Sequence, residues 1–87
     1  MTQKYFIEMD QWGDACGGSI HNTMTGWVEG FQLYAKVDVP EELAQAAAED
    51  DPDAVFASTR FGTAELKDEI IKQARENGID PDALVFV

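Results

Sequence analysis

Cys16 and His21 have the side chains that a nucleophile and its general base would need. A cysteine becomes a reactive thiolate in a positively charged environment, and the surrounding loop supplies Asp10 and Asp14 instead. A catalytic Cys–His pair also needs a third group that orients the histidine and donors that stabilise an oxyanion. A chain of 87 residues has little room for these groups. We therefore expect no enzyme activity and interpret Cys16 as a turn residue.

The sequence contains no ligand set typical of a metal ion or a phosphate-bearing cofactor. One cysteine and one histidine cannot build a structural zinc site within a single chain. Residues 50–53 offer carboxylate oxygens, but they lack the spacing, the central glycine and the terminal glutamate of an EF-hand calcium loop. Gly17 and Gly18 are not followed by the Lys-Ser/Thr pair of a phosphate-binding loop. We expect neither a metal site nor a cofactor.

The chain is strongly acidic, with a formal net charge of −11, and the surplus is concentrated in one segment. Residues 38–53 contain seven carboxylates and no basic side chain, whereas residues 54–79 hold four acids and four bases. Acids without local partners repel one another and weaken the helix that carries them, so a binding role explains them better than local stability does. We predict a partner-binding surface that comprises Asp38, Glu41, Glu42, Glu49, Asp50, Asp51, Asp53 and, from the glycine-rich loop, Trp12.

This charge excludes whole classes of partner. Phosphate contacts require Lys and Arg, of which there are six, so direct binding to nucleic acid or to an anionic membrane is not expected. A basic protein surface is the complementary partner. The alternative interpretation is that some of the acids cap helices and the rest only keep the protein soluble. The single cysteine, the lack of a long apolar stretch and an N-terminus unlike a signal peptide lead us to expect a cytoplasmic protein.

The hydrophobic pattern predicts one domain, residues 1–87, of the α+β class. A hydrophobic content of 45% is ordinary for a globular protein, and a chain this short builds one core. Alternating apolar residues predict strands, and helical spacing with Pro40 and Gly78 as start and stop signals predicts helices. The predicted strands are 4–9, 20–28, 31–37 and 83–87, the predicted helices are 40–49 and 64–77, and residues 54–60 fit either state. We therefore expect a small antiparallel sheet of about four strands, in the order β-β-β-α-α-β, with helices packed on one face.

Three local assignments follow from the neighbours of each residue. Trp27 lies within a predicted strand and is expected in the core, whereas Trp12 lies between polar residues and suits a contact with a partner. Gly30 marks either a tight turn or a bulge between two strands. Thr63 is the expected cap of the longer helix.

The residues Gly26-Trp27-Val28-Glu29, followed by an acidic helix from Pro40, are similar to the Gly-x-Trp-Ile-Asp stretch and acidic helix of the ArdA antirestriction family. The similarity covers about a quarter of the chain. Size, acidity and a compact α+β pattern also resemble small anti-defence proteins of phages and mobile elements, which include anti-CRISPR proteins.

This resemblance implies an inhibitor that mimics DNA, whose carboxylates occupy the Lys/Arg groove of a nucleic-acid-binding defence complex. A second hypothesis is a structural or accessory subunit that binds a protein partner, or a second copy of itself, through aromatic residues and strand edges.

Overall fold

The computed structural model describes residues 3–14 and 17–87, so Cys16 lies outside the described residues. The elements are β1 (Tyr5–Asp14), β2 (Ser19–Val28), β3 (Phe31–Asp38), α1 (Glu41–Ala48), α2 (Pro52–Arg60), α3 (Thr63–Glu76), a short 3-10 turn (Pro81–Ala83) and β4 (Leu84–Phe86). The predicted α+β class and the four-stranded sheet are confirmed. Residues 54–60, which fitted either a helix or a strand, belong to α2.

The strands form one sheet in the order β3-β2-β1-β4. Neighbours β1 and β2, and likewise β2 and β3, are antiparallel, but β4 joins β1 in parallel. The sheet is therefore mixed rather than antiparallel throughout, because α3 returns the chain to the end at which β1 starts. Strand β1 also changes partner along its length: residues 5–7 pair with β4, and residues 8–14 pair with β2.

A two-residue turn joins β2 to β3. Glu29 and Gly30 lie between the paired residues Val28 and Phe31, and both have a positive φ, 53° and 84°. This is the type I′ geometry, whose twist matches that of the flanking strands. Gly30 therefore belongs to a tight turn and not to a bulge. This turn determines which residues of β2 and β3 share a face.

The main core lies between one face of the sheet and α3. Helix α3 buries Leu66, Ile70 and Ala74, which follow one another at intervals of four residues. The sheet contributes Ile7, Met24, Val28, Leu33 and Ala35. A smaller cluster, formed by Ile20, Val39 and Ala44, holds α1 against the same face. Packing of the helices on one face, as predicted, leaves the other face of the sheet for other contacts.

A buried polar group fastens α2 to the sheet. Asn22 is fully buried on the helix-facing side of β2, and its Nδ2 donates to the carbonyl oxygens of Ser58 at 2.5 Å and Phe61 at 2.7 Å. Gln11 of β1 donates from Nε2 to the Ser58 hydroxyl at 2.8 Å. The Oδ1 of Asn22 has no hydrogen-bond partner among the described residues. These bonds position the C-terminal end of α2 against β1 and β2.

The predicted end of α3 is confirmed, with a left-handed Gly78 (φ 73°) just beyond the helix. Ile79 N–H donates to the Ala74 carbonyl at 2.8 Å and Gly78 N–H donates to the Arg75 carbonyl at 3.1 Å. This pair of bonds is the Schellman motif.

The predicted start of α3 is wrong by one residue. Thr63 is the first helical residue, its hydroxyl donates to the Arg60 carbonyl at 2.7 Å, and Gly62 takes the capping position with φ 73°. A side chain at position 62 would approach Val37 Cγ1 to 2.8 Å, so the chain needs glycine there.

Candidate functional site

The face of the sheet opposite the helices is not covered by any helix in the described part of the chain. Because side chains alternate along a strand, every second residue of β1, β2 and β3 points to this side. We call it the open face. It comprises Phe6, Glu8, Asp10 and Trp12 of β1, His21, Thr23, Thr25 and Trp27 of β2, and Gln32, Tyr34, Lys36 and Asp38 of β3.

Four aromatic side chains of the open face are exposed to solvent. The exposed fraction is 61% for Phe6, 52% for Trp12, 67% for Trp27 and 42% for Tyr34. The expectation that Trp27 belongs to the core is therefore wrong. The side chains of β2 alternate between the two faces of the sheet. Val28 lies on the buried face, so its neighbour Trp27 lies on the opposite face. Four large aromatic side chains exposed on one face of a sheet are typical of a contact surface.

One row across the open face brings two predicted binding residues together. Trp12 pairs with His21, which pairs with Asp38 on the next strand. The Trp12 and His21 rings meet edge to face with centroids 5.1 Å apart, and His21 Nδ1 lies 2.6 Å from Asp38 Oδ1. Lys36 Nζ lies 3.8 Å from the same oxygen. We call Trp12, His21 and Asp38 the Trp12 row. Its histidine, the base considered for Cys16, contacts Trp12 and Asp38.

The predicted acidic surface starts at the end of this row and continues through α1 to the first turn of α2. All seven of its carboxylates are exposed: Asp38, Glu41, Glu42, Glu49, Asp50, Asp51 and Asp53. Among the described residues, Asp38 alone of the seven lies in an ion pair. The other six carry charge that no basic side chain in that part of the protein neutralises at close range.

Local structure explains some of these acids and not others. Asp51 caps α2 by accepting the Asp53 N–H at 3.1 Å, and Glu41 and Glu42 lie in the first turn of α1, where the helix dipole favours acids. Glu49 and Asp50 follow the last turn of α1, where the same dipole disfavours them, and Asp50 has a left-handed φ of 60°. Local stability therefore leaves Glu49 without an explanation, whereas Asp50 occupies a left-handed position that Asp adopts more readily than most residues.

Trp12 and the helices that carry the acidic surface border one cavity. It lines a cavity of about 240 Å³ together with Ile20, Ala47 of α1 and Val55 of α2. Trp12 and the acidic surface therefore lie at the same end of the sheet.

Within residues 3–14 and 17–87, no three His, Cys, Asp or Glu side chains come close enough together to hold a metal ion. None of the helices in this part of the chain has the length and apolar character needed to cross a bilayer.

No protein-family model, curated protein or solved structure matches this chain. The similarity to antirestriction and anti-CRISPR proteins therefore stays a prediction.

Sequence reasoning missed the aromatic character of the open face. The signal lies in β2. Trp27 is on the same side of this strand as His21, Thr23 and Thr25, whereas Met24 and Val28 are on the other side. Three polar residues on one side of a strand indicate that this side faces solvent, and Trp27 belongs to it.

Proposed function

We propose that this protein is a non-catalytic inhibitor that docks on the basic surface of another protein through the acidic surface and the adjoining Trp12 row. One observation carries the proposal. Six exposed carboxylates, which form no ion pair among the described residues, lie at the same end of the sheet as the exposed side chain of Trp12. The resemblance to anti-defence proteins favours the nucleic-acid-binding site of a defence complex as the surface that is blocked.

The physical basis of such docking is charge complementarity supported by one apolar anchor. Unneutralised carboxylates attract Lys and Arg side chains and accelerate the encounter of the two proteins. The exposed ring of Trp12 adds apolar contact area and a face on which a guanidinium group can stack. Direct competition with nucleic acid follows, since the same Lys and Arg side chains cannot bind phosphates at the same time.

The test compares two variants with the same change in net charge. One removes charge from the acidic surface (Glu42→Gln, Glu49→Gln, Asp50→Asn), and its control removes charge from α3 (Glu65→Gln, Asp68→Asn, Glu76→Gln). The partner is captured from the source cell at low salt, identified and purified. Its affinity for each protein is then measured at roughly 0.05 M salt, where screening is weak, and at roughly 0.5 M salt, where screening is strong.

We expect the acidic-surface variant to lose at least about 10-fold in affinity and roughly half of its salt dependence, since it removes three of the six carboxylates outside described ion pairs and each lost charge pair at an interface weakens binding. The control should bind almost as well as the unmodified protein. Equal losses in both variants, or an affinity that salt does not change, would refute the proposal.

The second candidate, a structural or accessory subunit, draws support from the exposed Phe6, Trp27 and Tyr34. Its strand-edge form is less well supported at β3. There, Gln73 of α3 donates from Nε2 to the Tyr34 carbonyl at 2.7 Å and accepts the Tyr34 N–H at 3.2 Å, so both backbone groups are already bonded. A stable homodimer in analytical ultracentrifugation, with contacts on the open face, would favour this candidate over docking by the acidic surface.

A further inference from the structure

A cleft opens at the end of the open face that lies away from the Trp12 row. The pairing of β1 with β2 starts at Glu8 and Thr25, and the cleft lies beyond this pair, between the start of β1 and the turn after β2. Its volume is about 730 Å³. Phe6 and Trp12 are six residues apart on β1, so the cleft and the Trp12 row are roughly 20 Å apart at 3.3 Å per residue. The cleft is therefore separate from the acidic surface.

Two aromatic rings line the cleft. Phe6 comes from β1 and Trp27 from β2, and each keeps more than half of its surface exposed. Planar rings of this kind offer faces for a flat or cationic group, and Trp gives the strongest attraction for a cation.

Two carboxylates line the same cleft, Glu8 of β1 and Glu29 of the turn. Glu29 is oriented by the Tyr5 hydroxyl, which donates to its Oε1. The pKa of Tyr5 is raised, first by this hydrogen bond to Glu29, then by burial and by the negative charge of Glu29. Lys4 also lines the cleft, but it forms no ion pair with Glu8 or Glu29 within 4 Å. The cleft thus combines aromatic faces with two carboxylates that form no ion pair with its own lysine.

The chemistry that fits both features is a guanidinium group. It is planar, stacks on aromatic faces and donates two parallel hydrogen bonds to a carboxylate, whereas an ammonium group is a compact, strongly hydrated charge. A nucleobase would also stack on the rings, but its phosphates would be repelled by the two carboxylates and by the net charge of −11. A second copy of this chain carries the same negative charge and is disfavoured for the same reason.

We propose that this cleft binds the side chain of an arginine on the partner protein, with the guanidinium stacked on Trp27 or Phe6 and paired with Glu8 or Glu29. The inference deepens the proposed function and rests on it for the source of the arginine. Two contacts roughly 20 Å apart would then orient the partner along β1, one at the acidic surface and one at the cleft.

The experiment uses the full chain and a blocked tripeptide, acetyl-Gly-Arg-Gly-amide, as the probe. Binding is followed by ¹H–¹⁵N NMR through the backbone amide signal of Glu8 and the indole N–H signals of Trp27 and Trp12. Trp12 serves as an internal control at the far end of the open face, and the Glu8 amide reports binding in the Trp27→Ala variant. Two further peptides replace arginine by citrulline, which has nearly the same shape without the charge, or by lysine. Glu8→Gln and Trp27→Ala are the test variants, and Asp10→Asn on β1 and Phe56→Ala, an exposed aromatic residue of α2, are the matched controls.

We expect a saturable shift at Trp27 and at Glu8 with little change at Trp12. Affinity should fall at least about 10-fold for the citrulline peptide, which loses both the charge pairing and the attraction to the ring. It should fall roughly 2- to 5-fold for the lysine peptide and for each test variant, because each contribution is worth roughly that factor at an exposed site. The control variants should bind as the unmodified protein does. All of the substituted side chains are exposed, and the NMR spectrum of each variant verifies its fold.

Four results would overturn the inference. They are equal binding of the citrulline peptide, equal binding of the lysine peptide, equal shifts at Trp12 and Trp27, and no saturable shift up to the solubility limit of the probe. A shift at Trp27 that depends on protein concentration without any peptide would assign the cleft to a second copy and would overturn it as well. Because the peptide is used without the partner, failure here is distinguishable from failure of the charge-variant test on the acidic surface.

Discussion

Replacing Asn22 with leucine tests how α2 is held on the sheet. The two side chains are similar in size, so the substitution removes polar atoms without opening a large cavity. It eliminates the hydrogen bonds to the Ser58 and Phe61 carbonyls, and it also eliminates the Oδ1 that has no partner among the described residues. The Ser58 carbonyl keeps a second donor, the Phe61 N–H at 3.2 Å. The larger loss therefore falls on the Phe61 carbonyl.

These changes give an expected loss of stability. The two hydrogen bonds, one buried and one part-buried, contribute about 1 kcal/mol each, and the Phe61 carbonyl that loses its donor costs up to about 1–3 kcal/mol, partly offset by the gain from burying leucine. We expect Asn22→Leu to lower the free energy of unfolding by about 2–4 kcal/mol. For a domain of this size, that corresponds to a fall in melting temperature of at least roughly 10 °C.

The measurement is urea and thermal unfolding followed by circular dichroism, with Thr23→Val as the matched control. Thr23 is also buried on β2, but its hydroxyl makes no side-chain hydrogen bond with any residue that the structure describes, so its replacement should cost less than about 1 kcal/mol. Hydrogen exchange should show that amides of α2 lose protection before those of α3. A loss below about 1 kcal/mol in Asn22→Leu, or equal losses in both variants, would refute the view that this amide fastens α2.

Two further predictions concern the cleft and the acidic surface. The raised pKa of Tyr5 means that the folded state holds the phenolic proton more tightly than the unfolded state, whose pKa is about 10. The stabilisation is therefore present below pH 10 and is lost as the pH rises through the folded pKa, so urea unfolding should show the unmodified protein losing stability relative to Tyr5→Phe over that range; a constant difference would contradict this. Asp51→Ala should lower stability by about 1 kcal/mol, because it removes the N-cap of α2, whereas Asp51→Ser should restore most of the loss; equal unfolding midpoints for all three proteins would show that the cap contributes nothing.

Helix α3 was predictable from sequence because its signals are local. Leu66, Ile70 and Ala74 lie on one helical face, and Gly78 ends the helix through bonds to residues three to five positions earlier. Thr63 was misplaced by one position because the start depends on a distant contact: Gly62 lies against Val37 of β3.

The features that sequence reasoning missed depend on contacts between distant residues. Alternation in β2 identifies two faces, but which face the helices cover is decided by the whole fold, and Trp27 lies on the uncovered one. In the same way, the acidic surplus could be counted from sequence, but the pairing of Asp38 with His21 needed the register of β2 and β3. The parallel arrangement of β4 depends on the path of α3 and has no local signal.

The bonds between Gln73 and the backbone of Tyr34 have a consequence for self-association. A side-chain amide carries one donor and one acceptor in nearly the geometry of a peptide group, so Gln73 occupies the position that one residue of an added strand would take. A second molecule that extended the sheet at β3 would first have to displace this amide. A protein with four exposed aromatic rings on one sheet face thereby has a barrier against edge-to-edge polymerisation, the usual route by which such surfaces form fibrils.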